Sequence, residues 1–154
     1  MRGFTLIELV VTVMIVAILA SVIVPLSQVS VQHNKEQDLK LALREIRTAL
    51  DAYKQAGDEG RISKSVDASG YPATLQVLVQ GSRDIKDPGG HTIYFLRRIP
   101  SDPMNLDQSL APEATWGKRS YRSSADDPQE GEDVYDIHSL STAMGSNGRP
   151  YKDW

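Results

Sequence analysis

The chain has 154 residues, a formal net charge of −3, 40% hydrophobic and 24% charged residues, and no cysteine. The length suits one domain, or one small domain with an anchor. The chain is mildly acidic and has no basic stripe, so nucleic acid is not an expected partner. The lack of cysteine excludes disulfides, cysteine metal sites and thiol catalysis. Mean hydropathy is −0.33 although the first residues are strongly apolar, so the remainder must be distinctly polar.

The N-terminal segment is apolar over a length that can cross a bilayer. Between residues 4 and 24 the single charged residue is Glu8, and a helix of about 20 apolar residues spans the hydrocarbon core. A cleaved secretory signal is the alternative, because small residues near position 20 offer a cleavage site. A carboxylate inside an apolar segment costs about 2.5–3.5 kcal/mol on insertion scales. Two explanations are open for Glu8: tolerance near the helix start, or an ion pair inside a protein assembly.

The first residues carry a family resemblance. They read Gly3-Phe4-Thr5-Leu6-Ile7-Glu8 and continue as an unbroken apolar run, which resembles the class III signal of type IV pilins and pseudopilins. The resemblance implies that a prepilin peptidase cuts between Gly3 and Phe4 on the cytoplasmic side and then methylates the amine of Phe4. Glu8 lies one helical turn beyond that amine. By the same resemblance, Glu8 pairs with the amine of a neighbouring subunit and sets axial register during assembly.

A second helical segment is expected to follow the apolar run. Pro25 either ends the membrane helix or kinks it, and the family resemblance implies that a proline at this position is habitual and that the helix continues. Continuation is favoured because apolar residues recur at three- and four-residue steps with charged residues between them. These apolar positions are Leu39, Leu43, Ile46, Leu50 and Tyr53, with Ala42 and Ala49 beside them. Gly57 closes the pattern as a helix end.

These signals divide the chain into four parts. We predict a leader at residues 1–3, a transmembrane assembly helix at residues 4–26, an amphipathic stalk helix at residues 27–56 and a small globular domain at residues 57–154. Arg2 precedes the apolar span, and the positive-inside tendency keeps it cytoplasmic. The family resemblance implies the same topology, with a single span in the inner membrane of a Gram-negative bacterium and the C-terminal domain in the periplasm.

The globular part reads as short elements separated by turns. Residues 57–70 predict a loop, residues 73–79 a short helix and residues 87–90 a turn. Residues 93–96 fit either a strand or a helical turn, and residues 99–103 form a loop fixed by prolines. Residues 119–123 and 134–138 alternate as strands do.

A second resemblance covers this part of the chain. It lies in the order Tyr71-Pro72, then Ile99-Pro100-Ser101-Asp102-Pro103-Met104-Asn105, then Trp116-Gly117, then Val134-Tyr135-Asp136-Ile137-His138-Ser139-Leu140. This order is similar to the major pseudopilins of type II secretion. The resemblance implies an α+β fold in which a small antiparallel sheet, a short helix and long loops pack on the long N-terminal helix. It implies a structural subunit of a periplasmic pseudopilus whose partners are copies of itself, other pseudopilins, the inner-membrane secretion platform and prepilin peptidase.

Other functions and a cofactor are also open. A type IV pilus subunit for adhesion or motility is the alternative filament, and a single-span binding protein is disfavoured by Glu8. Family members often bind calcium through an acidic C-terminal loop, whereas residues 139–148 contain no carboxylate. A weak calcium site at Asp126, Asp127, Ser139 and Asn147 is one interpretation. A solvated acidic loop is the simpler one.

Catalysis is not expected from this sequence. The three histidines, at positions 33, 91 and 138, are scattered, and no nucleophile lies at a spacing that would pair it with one of them. The sequence has neither an HExxH zinc motif nor a glycine-rich phosphate loop. We therefore expect a structural protein rather than an enzyme.

Overall fold

The computed structural model describes residues 5–64, 68–107 and 109–154, with the backbone alone for residues 22–29. The chain divides into two compact units, Met1–Glu36 and Gln37–Trp154. One helix, α1 (Leu6–Asp58), contains nearly all the described residues of the first unit and continues into the second. The backbone of α1 is helical on both sides of Pro25, as the expected continuation of the helix requires.

In the second unit, one stripe of apolar side chains on α1 forms the centre of the core. Residues at three- and four-residue spacing fall on one helix face, and Leu39 and Ile46 are fully buried. The stripe clusters with side chains from the rest of the unit, namely Leu75, Leu78, Leu96, Ile99, Trp116, Val134, Ile137 and Tyr151. The predicted packing stripe is confirmed, with Tyr53 partly buried at its edge. Burial of each leucine or isoleucine contributes about 1.5–3 kcal/mol.

The end of α1 uses a glycine other than the predicted one. The helix ends at Asp58, just beyond Gly57. The Arg61 N–H donates to the carbonyl of Ala56 at 2.8 Å, and Gly60 has a φ of 67°. A residue in this left-handed region commonly follows a helix end, and glycine adopts it without a Cβ penalty.

A short helix and a small hairpin follow the first loop. Helix α2 (Gln76–Gln80) begins later than predicted, and strands β1 (Ser82–Arg83) and β2 (Thr92–Ile93) pair antiparallel. The predicted turn at residues 87–90 is confirmed. The carboxylate of Asp87 accepts hydrogen bonds from the N–H groups of Gly89 at 3.0 Å and His91 at 3.2 Å.

A second pair of strands lies nearer the C-terminus. Strands β3 (Trp116–Arg119) and β4 (Asp136–Ser139) pair antiparallel, with Gly117 opposite His138. The α+β class is confirmed, although the described strands form two two-stranded sheets rather than one. The predicted strand at residues 119–123 was wrong because the chain turns there. The ring of Tyr121 contacts Tyr71 and Tyr135 instead of extending a ladder.

Candidate assembly segment and C-terminal loop

The first part of α1 exposes apolar side chains around its whole circumference. Between residues 6 and 19, every large apolar side chain is at least 48% exposed in the single chain. These are Leu6, Ile7, Leu9, Val10, Val11, Val13, Met14, Ile15, Val16, Ile18 and Leu19. A contiguous apolar surface of this extent marks a segment that is covered by a partner or by lipid.

The hydroxyl group within this apolar segment and the one just beyond it both bond to the helix backbone. The hydroxyl of Thr12 lies 2.9 Å from the carbonyl oxygens of both Glu8 and Leu9. The Ser21 hydroxyl donates to the carbonyl of Ile18 at 2.7 Å. Back-bonding of this kind removes the need for an external polar partner. Glu8 is therefore the group in this segment whose polarity calls for another explanation.

Glu8 and Thr5 bond to each other at the start of α1. The Glu8 Oε2 atom accepts from the Thr5 N–H at 3.4 Å and from the Thr5 hydroxyl at 3.3 Å, while the Glu8 N–H reaches the Thr5 hydroxyl oxygen at 3.4 Å. This reciprocal arrangement is a capping box, although its bonds are long. The Thr-x-x-Glu spacing at the start of the apolar run is the sequence signal of this cap, and it was not among the features predicted above. Among the described residues, Glu8 Oε1 has no hydrogen-bond partner, so it is open to a cation.

Several predictions on the N-terminal segment concern residues or side chains outside the described part of the chain. Gly3 and Phe4 lie outside the described residues, as does the side chain of Pro25. Cleavage between Gly3 and Phe4, methylation of Phe4 and the position of its amine therefore stay predictions. Among the side chains that the structure describes, which leave out residues 22–29, no helix is both long and apolar enough to span a membrane.

A buried hydrogen bond joins the proline-fixed loop to β4. The Ser139 hydroxyl donates to the carboxylate of Asp102 at 2.6 Å, and both residues are buried. The other carboxylate oxygen of Asp102 accepts the Met104 N–H at 2.8 Å. The indole N–H of Trp116 donates to the carbonyl of Pro100 at 2.7 Å. The loop at residues 99–103 is thus held by side-chain bonds as well as by its prolines.

The segment after β4 closes on itself through backbone hydrogen bonds. The Tyr151 N–H donates to the carbonyl of Ala143 at 3.0 Å, and the Lys152 N–H donates to the carbonyl of Ser141 at 3.0 Å. The ring centroids of Tyr151 and Trp154 lie 5.1 Å apart in an edge-to-face arrangement. These contacts define the C-terminal loop, residues 140–154, as an ordered structure built from its own groups.

Arg47 of α1 holds the C-terminal loop and β4 together. Its Nε donates to the carboxylate of Asp136 at 2.8 Å, and its Nη2 donates to the carbonyl oxygens of Ile137 at 3.0 Å and Trp154 at 3.1 Å. A guanidinium suits this task because its donors lie in a fixed fork. A second arginine, Arg119, reaches the other oxygen of Asp136 at 3.2 Å.

The oxygen atoms near the C-terminal loop do not make a good calcium donor set. Ser139 is fully buried, and its hydroxyl donates to Asp102, while the side-chain oxygen of Asn147 accepts the Arg149 N–H at 3.0 Å. Asp126 and Asp127 lie in an exposed loop. Calcium takes six to eight oxygen ligands, and the described residues include no cluster of three or more acidic or imidazole side chains placed to hold a metal. The four-residue calcium site stays a prediction.

Comparisons with known proteins agree with both sequence resemblances. Residues 1–24 match the prokaryotic N-terminal methylation motif. The chain is 33% identical over 125 residues to the type II secretion system core protein G of Pectobacterium carotovorum, covering 76% of this chain and 70% of that protein. The protein of the same name from Klebsiella michiganensis is 31% identical and covers 86% of this chain and 88% of its own length. The Pseudomonas aeruginosa relative, again of that name, is 32% identical over 85% of this chain and 88% of its own length. No solved structure matches.

Proposed function

The chain belongs to the family of type II secretion system core protein G, and on that premise we propose that it polymerises through the N-terminal part of α1 as the structural subunit of a pseudopilus. The observation that carries this proposal is the apolar surface between residues 6 and 19, which is exposed in the single chain and interrupted by one carboxylate. Before assembly this surface fits a bilayer, and after assembly it fits the same segment of neighbouring copies. A binding protein anchored alone in lipid would gain a helix cap from Glu8 Oε2, but it would offer no cation to the Oε1 atom.

The partners and the location follow from the same premise. Copies of this chain form the filament body, and other pseudopilins with the inner-membrane secretion platform complete the assembly. Prepilin peptidase acts first, between Gly3 and Phe4. We place the subunit in the inner membrane of a Gram-negative bacterium, with a single span and with residues 57–154 in the periplasm. The work of the subunit is mechanical rather than catalytic.

Glu8 has two roles in this proposal. Within its own chain, its Oε2 atom caps the helix through Thr5. Between chains, its Oε1 atom pairs with the methylated amine of Phe4 in a neighbouring subunit. Desolvation of the two charges offsets most of their attraction, so the pair adds little stability. Any register that leaves the buried carboxylate without its cation is costly, so the pair specifies the register.

The two roles of Glu8 are separated by a pair of variants. Glu8→Ala removes both the cap and the ion pair, whereas Thr5→Val removes the hydroxyl that takes part in the cap and leaves the carboxylate in place. In cells that carry the peptidase and the assembly platform, we expect Glu8→Ala to be processed but to form almost no filaments, and Glu8→Asp to be milder. Thr5→Val should keep most of the filament yield, because a cap alone is worth about 1 kcal/mol.

Filament imaging and mass spectrometry of the mature chain provide the readouts. The mature chain should begin with N-methyl-Phe4. Wild-type filament yield from Glu8→Ala would contradict the intersubunit role, and an uncut chain beginning at Met1 would contradict the pseudopilin assignment itself. Equal losses of filament yield from Thr5→Val and Glu8→Ala would show that Glu8 acts only as a helix cap.

A further inference from the structure

A groove on the second unit carries positive charge that its own chain does not fully balance. It lies between α1 and Trp154, has a volume of about 460 Å³, and is lined by the basic side chains of Lys40, Arg44 and Arg47, with Asp51 as the single acidic side chain in the lining. Trp154 gives it an aromatic wall, with the Lys40 ammonium 4.8 Å from a Trp154 ring centroid. This surface, called the basic groove below, combines an aromatic wall with cations, which suits an acidic partner segment.

The cations of the basic groove differ in how far they are already paired. Arg47 is bonded to Asp136 and to two carbonyl oxygens of its own chain. Arg44 is exposed and, among the described residues, makes no ion pair or hydrogen bond. It lies one turn from both Lys40 and Arg47 on the same helix face. Arg44 is therefore the cation that a partner's carboxylate would reach at the least cost.

The complementary surface is on the same chain, at a different place. Residues 126–133 contain five carboxylates and no cation, and all but Asp133 of the five are exposed. Among the described residues, Asp126, Glu130 and Glu132 have no ion-pair partner. Within the chain, Glu132 and Asp133 line another cavity, beside Tyr71 and Tyr121, rather than the basic groove. This segment is called the acidic loop below.

We propose that the basic groove binds the acidic loop of a second copy of this chain. The inference rests on the proposed filament function, in which every subunit presents both surfaces. Two different patches that complement each other on identical molecules make a heterologous contact. Such a contact does not end at a dimer, and it repeats into an open helical filament when its rotation does not close into a ring. The contact adds to assembly through the N-terminal part of α1, and its charges select the orientation in which globular parts meet.

Cysteine cross-linking tests this contact directly, because the natural chain has no cysteine. In cells that assemble filaments from the full chain, the double variant Arg44→Cys with Glu130→Cys should give a ladder of dimers, trimers and longer products upon oxidation. Each single-cysteine variant can give dimers at most, since one thiol per subunit cannot extend a chain of links. A ladder from the double variant alone supports the proposal.

Charge-reversal variants test whether the charges of the contact contribute to filament yield. Arg44→Glu should lower filament yield at least about fivefold, since like charges face each other across the contact. Adding Glu130→Lys should restore much of the loss. Arg149→Glu is the matched control, because Arg149 is exposed outside the groove, and it should leave the yield near that of the wild type.

The outcomes separate this contact from the proposed function. If wild-type filaments form while Arg44→Glu assembles normally and the double cysteine variant gives no ladder, the docking contact is overturned and the pseudopilus subunit stands. If Arg44→Glu lowers the filament yield but the double cysteine variant gives no ladder, the acidic loop of a second copy is not the occupant of the basic groove. That result would favour a different acidic protein. If processed wild-type chains form no filaments, the proposed function fails first.

Discussion

The hydroxyl of Ser139 donates a 2.6 Å hydrogen bond to the carboxylate of Asp102 across 37 residues of sequence. The two residues are 0% and 3% exposed. The Asp102 N–H in turn donates to the hydroxyl of Thr115 at 3.0 Å, so one aspartate links the proline-fixed loop to β4 and to the residue that precedes β3. A carboxylate buried in this way depends on its donors, because water cannot replace them.

Removal of the Asp102 carboxylate should destabilise the protein. We expect Asp102→Ala to lower the free energy of unfolding by about 2–3 kcal/mol, since it leaves the Ser139 hydroxyl and the Met104 N–H without their acceptor. Asp107→Ala is the control, because Asp107 is exposed and bonds locally to Ser109, and it should change the value by about 0.5 kcal/mol or less. Urea unfolding of the full chain measures both. Similar losses in the two variants would contradict a role specific to Asp102.

The pairing of β3 with β4 depends on the absence of a side chain at residue 117. A Cβ atom added to Gly117 would lie 2.3 Å from Nε2 of His138, the residue directly opposite in the register. We expect Gly117→Ala to lower the free energy of unfolding by about 1–3 kcal/mol, as overpacking does. The same change at Gly57 meets only Ile62 at 3.9 Å, and it should be neutral or stabilising because alanine favours helix.

A double-mutant cycle isolates the clash between Gly117 and His138. Adding His138→Ser to Gly117→Ala should recover most of the loss, because the smaller side chain frees the space that the new Cβ needs. If the two substitutions prove additive, the loss arises in the backbone rather than from the imidazole.

Local patterns in the sequence predicted α1 well. The apolar stripe from Leu39 to Tyr53 needs only the helical period, which neighbouring residues set. The turn at residues 87–90 was also correct, because Asp87 bonds backbone groups within four residues of itself. The Thr5–Glu8 cap is equally local, and its Thr-x-x-Glu spacing is sufficient to predict it from the sequence.

Long-range contacts account for the misplaced elements. Strand β3 begins at Trp116 rather than at Arg119, and its position follows from the fit of Gly117 against His138 and from the Trp116 bond to Pro100. Alternation along residues 119–123 was misleading, since the Tyr121 ring contacts Tyr71, which is distant in sequence. The Asp102–Ser139 bond and the Arg47 fork join distant segments in the same way. No pattern among neighbouring residues predicts contacts between such distant segments.

Stability should fall on mild acidification because of His138. Its half-buried imidazole has a pKa below the usual 6.5, chiefly because burial disfavours the charged form; Asp136 and Asp153 raise the pKa, whereas Arg119 and Arg47 lower it further. The unfolded chain thus binds a proton more readily than the folded chain, so stability decreases as pH falls through about 6.5 and levels off below the folded pKa. Carboxylates with lowered pKa values, such as Asp84, change the stability only below about pH 5.

Substitution of His138 provides the measurement for this pH dependence. Between pH 7.5 and pH 5.5, the wild type should lose more unfolding free energy than His138→Asn, as followed by urea unfolding at each pH. An equal loss in the two proteins would assign the pH dependence to other groups. A gain in wild-type stability on acidification would contradict the lowered pKa of His138.

The C-terminal loop should be stable without calcium. Its backbone N–H and carbonyl groups bond to each other, the Asn147 side-chain oxygen is already an acceptor, and the segment at residues 139–148 has no carboxylate. Arg47 supplies the cross-link between Asp136 and the carbonyl of Trp154. We therefore expect the melting temperature of the full chain to be the same in excess calcium as in a chelator, because no cation binds the folded state preferentially.

Arg47→Lys is the positive control, because it shows whether a change at the C-terminal loop alters the measured stability. Lysine keeps the charge but loses the fork, so the unfolding free energy should fall by about 1 kcal/mol, a modest value because the pair with Asp136 is partly solvated. Asp126→Asn with Asp127→Asn should leave the melting temperature unchanged in both solutions. A melting temperature that rises with calcium in the wild type but not in that double variant would instead establish a calcium site that includes Asp126 or Asp127.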